Sequence, residues 1–177
     1  IEGNPAYLLK VWKKEPPPRR LFRRFAILKR LRTFYKRTTP LRRELREYRR
    51  AMSDRHSVKH LQACFGTIST SRGSALVVGA VRRLDGGLAL TIRQAVERGR
   101  YDARMHDAMN EFLFWLQRTP VVTADVHLDN VVYDERNGAV VLIDGIGDKT
   151  FFPVRSWVAY LDRRHKEKTA KRMRARI

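Results

Sequence analysis

The sequence predicts an α+β protein in which short β-hairpins are combined with amphipathic helices. Two β-branched runs, 130–134 and 139–143, flank a four-residue turn that ends in Asn137-Gly138, a dipeptide that tolerates the positive φ angles of tight hairpins. Residues 102–118 carry apolar side chains at the spacing of one helix face. A chain of 177 residues is long enough to bury a core, either as one compact unit or as two small lobes.

The first part of the chain is predicted to form one strand and two helices. The apolar-rich run 6–12 predicts a strand that carries Lys10. Residues 19–38 place apolar side chains on one stripe with arginines and lysines around it, which predicts an inserted basic helix. A second helix is predicted over 41–55, and it carries Glu44.

The middle of the chain is predicted to form a hairpin, a loop and a short capped helix. The hairpin is predicted over 67–81, and residues 82–87 follow it as a glycine-containing loop. Thr91 and Gln94 have the spacing of a capping box, and Gly99 is placed to end the short helix.

Two acidic loops form the candidate site. The stretch 123–130, TADVHLDN, contains Asp125 and Asn130, and Asp144 follows the strand that returns beside it. Phosphoryl transfer needs oxygen ligands for Mg²⁺, a carboxylate that orients the attacking hydroxyl and a lysine on the phosphates. These residues therefore predict a site for a metal-bound nucleotide triphosphate, and the alternative is a surface hairpin with ordinary turn acids.

The motifs of these loops resemble those of a known group of proteins. DVHLDN resembles the catalytic loop of protein-kinase-like enzymes, in the D-x-H-x-x-N form of small-molecule and sugar kinases, and VLIDG resembles the strand and metal-binding aspartate of the D-F-G element. The order of Lys10, RREL at 42–45, the catalytic loop, IDGIGD and FFPVRSW resembles the bacterial YrbL family, named for the PhoP regulatory network. The resemblance covers nearly the whole chain, with an unfamiliar stretch at about 13–40.

The resemblance implies a protein-kinase-like, two-lobed fold. Residues 1–81 would form the N-lobe-like part, and residues 82–177 would form a hinge and a minimal C-lobe that ends in a basic tail. In this fold the loop at 82–87 would be the hinge, and its backbone groups would bind adenine. Trp12, Trp115 and Trp157 are expected in the core or where the lobes meet.

The resemblance also implies roles for the candidate site residues. Asp125 would be the catalytic carboxylate, and Asn130 and Asp144 would complete the catalytic set and bind Mg²⁺. His127 would face the transferred phosphate of ATP, and its alternative role is packing or hydrogen bonding within the loop.

The remaining cofactor-binding residues belong to the N-lobe-like part. Lys10 would hold the phosphates of ATP and pair with Glu44 on the helix behind it. An exposed edge-strand lysine and an exposed helix glutamate are the alternative readings of the two residues. Glu47, one helical turn further on, is the alternative partner for Lys10.

The sequence also departs from the kinase pattern. Thr123 replaces the histidine that normally precedes the catalytic aspartate by two positions, so the usual support of the metal loop is expected to be missing. No glycine-rich loop precedes Lys10, and the chain begins at Ile1, so we expect a fold truncated at the N-terminus. Only thirty-three residues follow Asp144, which are too few for a peptide-binding platform and favour a small substrate.

The composition excludes several classes of protein. Cys64 is the single cysteine, so the sequence has no disulfide framework and no thiolate metal cluster. His56 and His60 have ligand spacing but no third ligand, and we expect ordinary surface histidines. No apolar run approaches the length of a membrane span, and the first residues lack a secretion signal, so we expect a cytoplasmic protein.

The formal charge of +20 indicates an acidic partner or a strongly solvated surface. The cations are concentrated in residues 19–50 and 163–176. Residues 19–50 are predicted to meet nucleic acid, an anionic membrane surface or a phosphorylated ligand, unless their cations are only solvated.

Three functions are therefore open from sequence. The first is a kinase-like protein that binds Mg-ATP and transfers a phosphoryl group to a small-molecule or lipid-linked hydroxyl, or to a protein. The second is a catalytically inactive, pseudokinase-like regulatory or binding module. The third is a basic protein that binds nucleic acid or a membrane surface.

Overall fold

The computed structural model describes residues 6–11, 44–52, 58–147 and 159–177. These residues form a mixed α+β structure with two small antiparallel sheets. The basic helix predicted over 19–38 lies outside the described residues, as do Trp12, His56 and Trp157. Within the described part of the chain, no helix is both long and apolar enough to cross a bilayer.

The first sheet has three strands and carries Lys10. Its strands are β1 (Tyr7–Val11), β2 (Cys64–Thr70) and β3 (Gly73–Gly79), in the order β1-β3-β2. Lys10 lies opposite Leu76 in the register between β1 and β3. The predicted Lys10 strand and the hairpin within 67–81 are both present.

Helix α1 covers the described residues 44–52 and has acids on its buried face. Glu44, Glu47, Tyr48 and Ala51 are buried, at the i, i+3, i+4, i+7 spacing of one helix face. Two buried carboxylates need polar partners, because burying a charge without a partner is costly. Both acids have such partners at the candidate site.

Two capped helices follow the first sheet. Helix α2 (Ile92–Glu97) begins at a capping box in which Thr91 accepts from the backbone of Gln94 and the Gln94 side chain reaches back. Helix α3 (Ala103–Arg118) begins at Asp102, whose side chain accepts a hydrogen bond from the backbone of the first turn. Both helices match the sequence prediction.

The second sheet is the hairpin that joins the two acidic loops. Strand β4 (Val131–Asp134) pairs with β5 (Ala139–Leu142) in antiparallel register. Gly138 adopts a φ of 60°, as predicted for the turn. The Asp134 side chain holds the turn further by accepting from the Asn137 side chain at 2.7 Å.

Helix α3 forms the centre of the core. One face of α3 packs against β5, and the final helix, α4 (Ala159–Arg174), packs against α3. The fully buried side chains of α3 include those of Met109, Phe112, Leu113 and Leu116.

His60 contradicts the expectation of surface histidines. The side chain is buried, and Nδ1 lies 2.9 Å from the carbonyl oxygen of Val140 on β5. Its ring packs against Phe112 and Trp115, with centroids 5.8 and 5.2 Å away. A histidine that satisfies a buried carbonyl is a core residue, and sequence spacing does not reveal this.

Candidate functional site

The two acidic loops pair through their backbones. The amide of Ala124 donates to the carbonyl of Gly145 at 2.9 Å, and the amide of Gly147 donates to the carbonyl of Val122 at 2.8 Å. Thr123 and Ile146 form an antiparallel bridge between these bonds. The pairing holds Asp125 close to the segment that begins at Asp144. The main chain thus supports the loop where support from a histidine side chain was expected to be missing.

Gly145 permits the closest approach of the two loops. It has a φ of +87°, a conformation that side chains disfavour. A Cβ atom at this position would collide with the carbonyl group of Asp125. The glycine after Asp144 is therefore required by contact as well as by backbone conformation, which a sequence motif alone does not show.

Asn130 is held in a defined orientation at the end of the first acidic loop, 123–130. Its backbone amide donates to the carbonyl of His127 at 2.9 Å, and its side-chain Nδ2 donates to the backbone carbonyl of Asp125 at 2.8 Å. The carbonyl of Asn130 in turn accepts from the amide of Ile143 at 2.9 Å. Since the side-chain nitrogen is used within the loop, Oδ1 is the atom that remains for a cation.

Asn130 and Asp144 provide donors that suit Mg²⁺. Amide and carboxylate oxygens are the ligands this ion prefers, and Mg²⁺ usually combines one or two carboxylates with water and phosphate oxygens. Asp144 is exposed, and its Oδ1 accepts from the amide of Gly145 at 2.7 Å. No group of three His, Cys, Asp or Glu side chains suited to a metal occurs among the described residues. An amide oxygen and a carboxylate fit an ion whose other ligands are water and phosphate oxygens.

Lys10 pairs with Glu44. The Lys10 Nζ lies 2.9 Å from Oε1 of Glu44, which is buried, while a quarter of the Lys10 side chain is exposed. Burial raises the pKa of Glu44, Lys10 lowers it in part, and the nearby carboxylate of Asp144 raises it further. A geometric link to the acidic loops comes from helix α1 itself, which carries Glu44 and also contacts Val122 through Glu47.

Glu47 connects helix α1 to Val122, in the segment just before the first acidic loop. Its buried side chain accepts a hydrogen bond from the amide of Val122 at 2.9 Å. Glu47 is therefore not the partner of Lys10, and its structural role was missed from sequence. The available signal was a second acid on the same helix face as Glu44, three residues further on.

His127 lies between two carboxylates. Its Nε2 is 3.7 Å from Asp125 Oδ1, and its Nδ1 is 3.2 Å from Asp129 Oδ2. Arg93, on α2, binds the other oxygen of Asp129 with its Nε at 2.6 Å. This hydrogen bond lowers the pKa of Asp129 below its usual range. Arg93 and Asp129 were also missed from sequence, because their contact joins residues far apart in the chain.

The loop at 82–87 closes on itself. The amide of Arg83 donates to the carbonyl of Gly87 at 2.8 Å, and the amide of Gly86 donates to the carbonyl of Arg83 at 3.0 Å. The amide of Leu84 donates to the Glu135 side chain at 2.7 Å. These three amides already donate hydrogen bonds within the protein. They are therefore not available for the adenine contact that was predicted for this loop.

A groove of about 350 Å³ lies away from the acidic loops. Its walls include Gln62, Gly79, Val81, Arg82 and Asn137, and its lining residues do not include the candidate site side chains. Volume alone would draw attention to this groove. The paired loops are the better candidate site because they carry the carboxylate and amide side chains that can bind a cation or accept a proton.

Comparison with known proteins identifies the family. A family model described as "PhoP regulatory network protein YrbL" matches residues 3–177. The chain belongs to the YrbL family. Two curated relatives, both named "Uncharacterized protein YrbL", come from Escherichia coli (strain K12) and Shigella flexneri. Each is 25% identical over 138 residues, which span 75% of this chain and 66% of the relative.

A solved structure has a weaker similarity to this YrbL-family chain. It is described as a high-resolution (2.2 Å) crystal structure of WbdD and shares 17% sequence identity. The alignment has a TM-score of 0.46 and covers 90% of this chain and 33% of that chain. A TM-score of this size does not establish a common fold.

Proposed function

We propose that this protein has a protein-kinase-like fold and binds Mg-ATP between its two acidic loops. The observation that carries the proposal is that backbone contacts hold the loop of Asp125 and Asn130 against the segment that begins at Asp144. The loops are joined by backbone hydrogen bonds and by the close contact at Gly145. Lys10 and Glu44 form a 2.9 Å pair, and the helix that carries Glu44 also contacts Val122, immediately before the first acidic loop, through Glu47.

Each residue has a distinct task in this proposal. Lys10, oriented by Glu44, fixes the phosphates, and Asn130 and Asp144 hold Mg²⁺, which supplies charge neutralisation at the phosphate oxygens. Asp125 orients the hydroxyl of the substrate and accepts its proton. The Asp125 side chain is about half exposed, so a hydroxyl group can reach it.

The proposed substrate is a small-molecule or lipid-linked hydroxyl. The D-x-H-x-x-N form of the catalytic loop resembles that of small-molecule and sugar kinases, and this motif supports the choice. A protein substrate is the alternative within the same chemistry. We place the protein in the cytoplasm, where ATP and Mg²⁺ are available.

The first test measures nucleotide binding by thermal unfolding. We expect the purified protein to gain several degrees in Tm with millimolar ATP and Mg²⁺, because a ligand that binds only the folded state stabilises it. Asp144→Ala should remove the gain. Asp107→Ala, at an exposed position on α3, is the matched control and should retain it. An equal gain in wild type and Asp144→Ala would show that ATP binds elsewhere.

A nucleotide-binding module without catalysis is the second candidate function. It is favoured by the buried Thr123, which stands in place of the usual histidine. Measurement of ADP release by the purified protein separates the candidates. Turnover that disappears in Asp125→Ala while the ATP-induced Tm gain remains supports the enzyme. Binding without turnover supports the module.

A further inference from the structure

Helix α4 exposes a cationic face that its packing does not use. Arg164, Lys168, Lys171 and Arg172 are all exposed, and we call them the α4 basic face. Their i, i+4, i+7, i+8 spacing places them along one side of the helix. The opposite side is buried and includes Lys166, Ala170 and Met173.

The helix is fixed to the body of the protein by a different cation. The buried Lys166 donates to the carbonyl of Thr119 at 2.7 Å, at the C-terminal end of α3, and also pairs with Asp162. A free carbonyl at a helix end needs such a donor. Lys166 therefore has a structural role, and the α4 basic face is presented on an anchored helix rather than on a loose tail.

The α4 basic face has no acidic partner among the described residues. The exposed acid of the helix, Glu167, lies 3.6 Å from Arg163, which is outside the face. The four cations outnumber Glu167, the exposed acid of the helix, so they repel one another, and this repulsion is relieved when an anionic partner binds.

We propose that the α4 basic face binds the phosphate backbone of double-stranded nucleic acid. Arg164 to Arg172 extends over about 12 Å of helix, so the four side chains can reach consecutive phosphates of one strand. The exposed positions of 162–176 carry no aromatic ring for base stacking and no large apolar side chain for insertion into a membrane. These absences favour a duplex backbone over single strands or a lipid surface, and the net charge of +20 assists the encounter.

The test measures binding of a fluorescent 24-base-pair duplex by anisotropy at several salt concentrations. The variant Arg164→Glu/Lys168→Glu/Lys171→Glu should weaken binding at low salt at least tenfold. The slope of log Kd against log salt should become less steep by about 2–3, because each lost phosphate contact accounts for roughly 0.9. Arg164→Gln/Lys168→Gln/Lys171→Gln should act in the same direction, and it decides the result if the glutamate variant does not fold.

The control has the same net charge as the glutamate variant. Arg72→Glu/Arg98→Glu/Arg100→Glu reverses three exposed cations outside α4 and should keep most of the affinity. An equal loss in both triple variants would show that bulk charge, not this face, determines binding. Absence of duplex binding by the wild type at low salt also overturns the proposal. Binding to phosphatidylserine-containing vesicles in place of the duplex assigns the face to membranes instead.

Discussion

At the scale of single residues, Gly145 allows the two acidic loops of the candidate site to come into contact. Gly145→Ala forces a Cβ atom against the carbonyl of Asp125 and a side chain into a φ of +87°. We expect a loss of about 2–4 kcal/mol in the free energy of unfolding. The ATP-induced Tm gain should also disappear, since the loops must separate. Urea denaturation and the thermal assay measure the two effects.

Gly86 provides a matched control for that substitution. It has a φ of +85°, but its missing side chain would meet open space. Gly86→Ala should therefore cost only the backbone strain, about 1–2 kcal/mol, and should leave the response to ATP intact. If the two alanine variants lose equal stability, the contact between Gly145 and Asp125 has no energetic importance.

We expect the buried Glu44 to lower the free energy of unfolding of the protein while it orients Lys10. Burial raises its pKa, so the ionised form disfavours folding above that raised pKa, and the penalty is absent below the unfolded pKa of 4.5. Glu44→Gln should therefore gain in stability relative to wild type as the pH rises from 4 to 7. The same variant should bind ATP more weakly, because the neutral amide holds Lys10 less firmly.

Urea midpoints at the two pH values, together with ATP titrations, test the prediction for Glu44. Glu97→Gln, at an exposed position on α2, is the control and should follow wild type in both measurements. If Glu44→Gln is equally destabilised at pH 4 and pH 7, the ionised form of Glu44 is not penalised in the folded protein.

At the scale of elements, short sequence patterns predicted those helices and strands that are stabilised by residues close together in the chain. The hairpin of β4 and β5 follows from β-branched runs and one glycine in the turn. The boundaries of α2 and α3 follow from Thr91 and Asp102, whose side chains bond within the same turn. These elements depend on neighbours in sequence, so a single sequence contains the information.

Elements and contacts that depend on distant partners were not predictable in this way. The buried stripe of α4 contains Lys166, which has no apolar signature and is accommodated only because Thr119 offers a carbonyl. Likewise, Glu47 finds its partner at Val122, and Arg93 finds its partner at Asp129. The candidate site residues were proposed from sequence motifs, while the groups that position them required the tertiary structure.

At the scale of the whole molecule, helix α1 connects the three-stranded sheet to the acidic loops through its two buried acids. Glu44 contacts Lys10 of the three-stranded sheet, and Glu47 contacts Val122, which pairs with the loop after β5. A shift of α1 would thus move the lysine and the acidic loops relative to each other. The helix is placed to set the distance between Lys10, the proposed phosphate-binding group, and the acidic loops, which carry the proposed metal-binding groups.

Substitution of Glu47 tests this arrangement. Glu47→Ala leaves the buried amide of Val122 without its acceptor, and we expect a loss of about 1–3 kcal/mol in the free energy of unfolding. Glu47→Gln retains an acceptor oxygen and should lose less than half as much. If α1 sets the geometry of the site, Glu47→Ala must also weaken ATP binding although it touches no proposed ligand. Loss of stability with unchanged ATP affinity would restrict Glu47 to a packing role and leave the orientation of Lys10 to Glu44 alone.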